Sequence, residues 1–168
     1  MILRALTLAG GLAGAAATSQ FPEYSQQYTQ RLGGAVDALG VVVADFDASA
    51  LAVGLSRADA LAQMRGSDFL ERRRGDMART IDRYADLQAN LTALTGEGPF
   101  MRAYHLPQMT DGQIARAAWD AYQPAVPLNF AGIGFGAVGL LLGMGLTGLL
   151  LRVLAWPFRR RRARTQAA

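Results

Sequence analysis

The 31 residues from Ala121 to Leu151 contain no charged side chain. A hydrocarbon layer about 30 Å thick is crossed by roughly 20 apolar residues in a helix, which satisfies its own backbone N–H and C=O groups. Leu128–Leu151 supplies 24 residues, about 36 Å at a rise of roughly 1.5 Å per residue. The stretch ends in Arg152, followed by Trp156, Phe158 and the run Arg159, Arg160, Arg161, Arg162 and Arg164. An apolar span closed by an aromatic residue and clustered arginines is the pattern of a crossing anchored on its cytoplasmic side. It predicts a C-terminal transmembrane helix over 127–156 and a basic cytoplasmic tail over 157–168.

The N-terminus carries a weaker version of the same signal. Arg4 is followed by 18 uncharged residues, Ala5–Pro22, about 27 Å as a helix. Alanine and glycine dominate them, so their drive into lipid is small. One reading is a retained membrane anchor over 1–20; the other is a signal peptide cleaved near Ala15-Ala16-Ala17. Both give one topology. Excess arginine marks cytoplasmic flanks, so Arg4 and the C-terminal cluster lie inside and residues 21–126 lie outside. In a Gram-negative cell this is an inner-membrane protein with a periplasmic domain.

Charge placement supports that division. Lysine is absent, and all 17 basic residues are arginine. Residues 20–126 hold the 13 acidic residues and 10 of the arginines, a net of −3; the ends hold the other seven arginines. A nucleic-acid binder would carry its basic stripe on the folded domain, so no nucleic-acid partner is expected. Membrane lipids are: each arginine near an anionic leaflet adds about 1 kcal/mol. Trp156, Arg159, Arg160, Arg161, Arg162 and Arg164 are the candidate membrane-surface residues. The absence of cysteine excludes disulfides and thiolate chemistry.

Glycines pattern the apolar ends. Gly132, Gly136, Gly139 and Gly143 are spaced 4, 3 and 4, which places them on one helical face. Gly134, Gly145 and Gly148 form a looser stripe nearly opposite. The N-terminal stretch offers matching faces, Gly10-x-x-x-Gly14-x-x-x-Thr18 and Thr7-x-x-x-Gly11-x-x-x-Ala15. Small residues let helices approach closely where no hydrophobic force drives them together. Gly132, Gly136, Gly139, Gly143, Gly10 and Gly14 are therefore the candidate helix-packing residues. One face would hold the two segments together, leaving the other for a second copy or a membrane-protein partner.

Between the ends the pattern is helical throughout. Leu32, Val36, Leu39, Val43 and Phe46 are spaced 4, 3, 4 and 3, a coiled-coil-like seam, extended upstream by Tyr24 and Tyr28. A helix is predicted over about 23–52, with Gly54 ending it and Ser56 capping a short successor. Ser67 caps a second long helix, on which Leu70, Met77, Ile81, Tyr84, Leu87, Leu91 and Leu94 recur at helical spacing before Gly96 stops it. Together they predict an antiparallel helical hairpin. Gly98–Gln108 reads as a loop. Thr110 to Gln113 reads as a capping box opening a helix to about Tyr122. The fold class is an all-α membrane protein, with N- and C-terminal transmembrane helices flanking the hairpin domain.

Catalytic chemistry finds little support. His105 is the only histidine and has no neighbour with which to build a metal site. Asp45-Phe-Asp47-Ala-Ser49 starts like a calcium loop, but Ala50 and Ser56 stand where that loop needs glycine and glutamate. Gly134-Phe-Gly136-Ala-Val-Gly139 spells a dinucleotide fingerprint without the preceding strand that gives it meaning. Glu71, Arg72, Arg73, Arg74, Asp76, Arg79, Asp82, Arg83 and Asp86 read as an ion-paired, solvated face, with pairs expected among Arg79, Asp82, Arg83 and Asp86. No enzyme, cofactor or metal is expected.

The segments Phe21-Pro-Glu-Tyr-Ser-Gln-Gln-Tyr-Thr-Gln-Arg-Leu-Gly-Gly34, Val43-Ala-Asp-Phe-Asp47 and Arg116-Ala-Ala-Trp-Asp-Ala-Tyr-Gln-Pro-Ala-Val-Pro127 resemble the bacterial "domain of unknown function 2937" family. The resemblance implies a small proteobacterial membrane protein with terminal membrane segments, and it brings no activity, cofactor or catalytic residue with it. Ordered packing faces without catalytic machinery point to a non-enzymatic accessory or scaffold protein. The alternatives are a homo-oligomeric envelope organiser and, third, a lipid-binding protein or enzyme using the aromatic loop near His105.

Overall fold

The computed structural model describes residues 1–124 and 129–165, with side chains as far as Ala155. Every regular element among the described residues is helical: α1 (Ile2–Ser19), α2 (Phe21–Ala52), α3 (Arg57–Gln63), α4 (Asp68–Leu94), α5 (Pro99–Tyr104), a 3-10 turn (Leu106–Gln108), α6 (Gly112–Ala121) and α7 (Phe130–Thr165). The chain divides into two compact units, Met1–Tyr24 with Gln123–Ala168, and Ser25–Tyr122.

The first unit is built from α1 and α7. Pro22 has no N–H to give to the carbonyl four residues back, which accounts for the break at Gln20 that ends α1 and lets α2 restart at Phe21. Asn129 opens α7 by accepting the Gly132 N–H at 2.7 Å. The helix then runs on through Pro157 to Thr165. One helix, Phe130–Ala155, is long and apolar enough to cross a membrane; the N-terminal run meets that standard only as Ile2–Ala52 taken with Arg57–Gln63 across an 83° bend. The expectation of two flanking spans is thus met for α7 alone. Taken alone, α1 has 18 residues, and alanine and glycine make up half of it.

The second unit rests on α2 and α4, of 32 and 27 residues. Leu32, Val36 and Val43 of the predicted seam are buried, and Leu39 and Phe46 are half-buried. Tyr28, Ala50, Leu87, Leu94, Ile114 and Ala118 complete the core. The Tyr84 ring lies against Gly40, where an added Cβ would come within 3.2 Å of it.

The ends of α2 and α4 follow local rules. Gly54 takes φ 74°, which costs glycine nothing sterically. Its N–H donates to Leu51 O at 2.9 Å and the Leu55 N–H to Ala50 O at 2.9 Å, the paired bonds of a Schellman stop. Gly96, at φ 79°, follows α4. Ser56 accepts the Asp59 N–H at 3.1 Å and Ser67 the Leu70 N–H at 3.3 Å, capping α3 and α4 as expected.

Two local expectations need correction. Gly98–Gln108 is not a loop but α5 and a 3-10 turn. Gly98 is the N-cap and Pro99 the first helical residue, where a missing N–H costs nothing. The cap of α6 is Asp111, not Thr110: its carboxylate accepts the N–H groups of Gln113 at 3.0 Å and Ile114 at 2.9 Å.

Candidate functional site

Gly10, Gly14, Gly139 and Gly143 approach one another's helices closely within the first unit. A Cβ on Gly14 would collide with the Gly139 carbonyl oxygen, and a Cβ on Gly143 with that of Gly10. Gly139 is equally closed, by Thr18 and by Gly14 O. A Cβ on Gly136 would sit at ordinary contact distance, 3.7 Å from Ser19 Cβ and 3.8 Å from Ala15 O. Gly132 is buried at the start of α7. As the chain advances from Gly10 to Thr18, its neighbours fall back from Thr147 to Phe135, so α1 and α7 are antiparallel.

This is backbone against backbone. Glycine is required because the partner atoms are carbonyl groups fixed in a helix, which cannot rotate aside as a side chain can. One polar bond fastens the seam: Thr18 Oγ1 donates to Phe135 O at 2.6 Å, and also lies 3.0 Å from Gly14 O in its own helix. Interhelical bonds of this kind are worth about 0.6 kcal/mol on average. Phe21 adds a ring contact to Phe135, centroids 5.2 Å apart. On the second α1 face, a Cβ added to Gly11 would come within 2.5 Å of Met144 Cγ and 3.0 Å of Leu140.

The looser stripe behaves differently. Gly145 has nothing within 4 Å of an added Cβ, and Gly148 only the Thr7 methyl at 4.0 Å. Both border an open groove of about 980 Å³ between α1 and α7. The candidate membrane-surface residues Trp156, Arg159, Arg160, Arg161, Arg162 and Arg164 lie outside the described side chains.

In the second unit, Asp111 joins three helices. Besides capping α6, it pairs with Arg83 of α4 at 2.9 Å, and its N–H donates to Tyr28 Oη of α2 at 3.3 Å. Its side chain is only 14% exposed. The sequence carried one sign of this role, an aspartate directly before an apolar-periodic run; the partners at positions 28 and 83 carried none. Arg83 therefore points away from the pairing expected with its α4 neighbours. Arg79 pairs back to Asp76, Arg74 with Glu71 at 3.0 Å, and Arg73 with Asp76 at 3.7 Å.

Asp47, once a candidate start of a calcium loop, is held by Arg57 through Nε–Oδ1 at 2.7 Å and a second guanidinium nitrogen at 2.5 Å. That hydrogen-bonded guanidinium lowers the Asp47 carboxyl below its ordinary range. The pair is present above the ordinary aspartate pKa and is lost as the pH falls through the depressed one. No cluster of metal-ligating side chains occurs among the described residues. His105 ends α5 and lies edge-on to Tyr104 at 5.3 Å.

No curated protein and no solved structure matches the chain. A family model described as "Protein of unknown function (DUF2937)" matches residues 2–160, almost the whole length, and the chain belongs to that family.

Proposed function

We propose that this is an inner-membrane protein whose α1 and α7 cross the bilayer as one antiparallel pair, with both ends cytoplasmic and residues 21–126 periplasmic. It works as a non-enzymatic accessory or scaffold protein. The observation that carries this reading is how little of α7 is covered. Only 6% of the apolar window in Phe130–Ala155 is buried, although α1 packs along it. Leu141, Leu146, Leu149 and Val153 of α7 and Leu3, Leu8 and Leu12 of α1 stay exposed. Hydrocarbon is the solvent in which such a pair carries no penalty. The glycine seam also supports retention of α1, because cleavage near Ala15-Ala16-Ala17 would strip Gly10 and Gly14 from their partners.

The docking surface we favour is α5 with its 3-10 turn, where Phe100, Met101, Tyr104 and Leu106 are all exposed. Apolar side chains concentrated on one short exposed segment mark interaction sites. The test is native co-purification through a C-terminal tag in mild detergent. The reading expects a protein at stoichiometric ratio that is lost when Phe100→Ser and Tyr104→Ser are combined. Recovery of the tagged chain at multiples of its own mass would favour the homo-oligomeric organiser, and a bare monomer would contradict both.

A further inference from the structure

We infer that the open groove between α1 and α7 is a binding site for one anionic phospholipid of the cytoplasmic leaflet, an inference that rests on the membrane reading above. The groove has a chemical direction. Its walls are apolar, from Leu3, Met144, Leu149 and Ala155, and it is bordered by Gly145 and Gly148, which fill none of it. At one end stand Arg4 and Arg152, brought level by the antiparallel register. Glu23 is the only acidic residue in this unit's sequence, about 28 Å of helix from Arg4. Among the described residues of this unit, two cations without an acidic side chain beside them thus flank an apolar slot.

Length and charge select the occupant. From Met144 to Arg152 the groove follows about 12 Å of helix, most of the roughly 15 Å that one leaflet contributes to a hydrocarbon core about 30 Å thick. An acyl chain therefore lies in the slot within one leaflet while its phosphodiester reaches the two guanidinium groups. Arginine suits this partner because its planar fork matches phosphate oxygens. A second copy of the chain is a poor occupant. With both termini on one side, it brings its own Arg4 and Arg152 to the same level and adds like charge to like.

The test uses the purified full-length chain in neutral detergent, titrated with dioleoyl phosphatidylglycerol or dioleoyl phosphatidylcholine and weighed by native mass spectrometry. One phosphatidylglycerol per chain should be retained with a preference of about thirtyfold, two cations at about 1 kcal/mol each converted at about 1.4 kcal/mol per decade. Arg4→Gln with Arg152→Gln should abolish the preference, while Arg161→Gln with Arg162→Gln, the same charge loss in the tail, should keep it. Gly145→Leu with Gly148→Leu fills the slot without touching either cation, at positions with room for a side chain, and should lower phosphatidylglycerol binding as well. Equal retention of the two lipids, equal losses from the tail and groove arginine pairs, or unchanged binding in the double leucine variant would each overturn the site. Insertion into neutral phosphatidylcholine bilayers without any anionic preference contradicts the site alone; exclusion from those bilayers contradicts the membrane reading beneath it.

Discussion

Asp111 ties three helices together. It caps α6, meets Arg83 and donates its N–H to Tyr28. The two side-chain roles separate by substitution. Asp111→Asn keeps an oxygen for the cap and loses the ion pair; Asp111→Ala loses both. A cap is worth about 1 kcal/mol, and an ion pair whose arginine is part-exposed adds about 0.2–1 kcal/mol. Thermal unfolding of the full chain in detergent, followed by circular dichroism, should therefore show Asp111→Ala costing about 1.5 kcal/mol and Asp111→Asn about 0.5. Equal costs would mean that the ion pair, not the cap, dominates. A cap is a local pattern, so the start of α6 was legible in the sequence, although the capping residue was read one position early, at Thr110. The partners, Tyr28 and Arg83, lie 83 and 28 positions before Asp111 and leave no local trace, since tertiary contacts are set by packing.

At the scale of elements, the α1–α7 seam was the most legible feature and α5 the least. Glycines at helical spacing define a face by geometry alone, so Gly10, Gly14, Gly139 and Gly143 could be singled out from periodicity. Register could not: that Gly10 meets Thr147 and Thr18 meets Phe135 depends on two surfaces at once. In α5 the residues that favour a helix start, Gly98 and Pro99, are also the usual signs of a loop, and six helical residues are too few for periodicity to decide.

The seam predicts opposite outcomes for two glycines of α7. Gly143→Leu drives a side chain into the Gly10 backbone, whereas Gly145→Leu enters open space. The readout is a disulfide between Thr7→Cys and Gly148→Cys, since the Thr7 methyl lies 4.0 Å from the Gly148 Cβ position and the chain has no cysteine of its own. An overpacking cost of about 1–3 kcal/mol should cut cross-linking at least about fivefold in Gly143→Leu. Gly145→Leu should leave it unchanged. Equal yields in the two variants would contradict the seam.

For the whole molecule, the topology we propose joins the charge asymmetry, the glycine seam and the uncovered apolar surface: α1 and α7 as a single membrane-embedded pair, with residues 21–126 on the far side. The acidic middle and the arginine-rich ends are then the two faces of one topology, and the family membership over residues 2–160 takes in both. The most direct test is site-directed labelling with a membrane-impermeant maleimide. Cysteines are placed one at a time before Met1, at the exposed Ala58 and after Ala168, in spheroplasts with their inner membrane intact. The account predicts labelling at position 58 and protection of both termini until the membrane is permeabilised. Labelling of either terminus in intact spheroplasts, or protection of position 58, would contradict it.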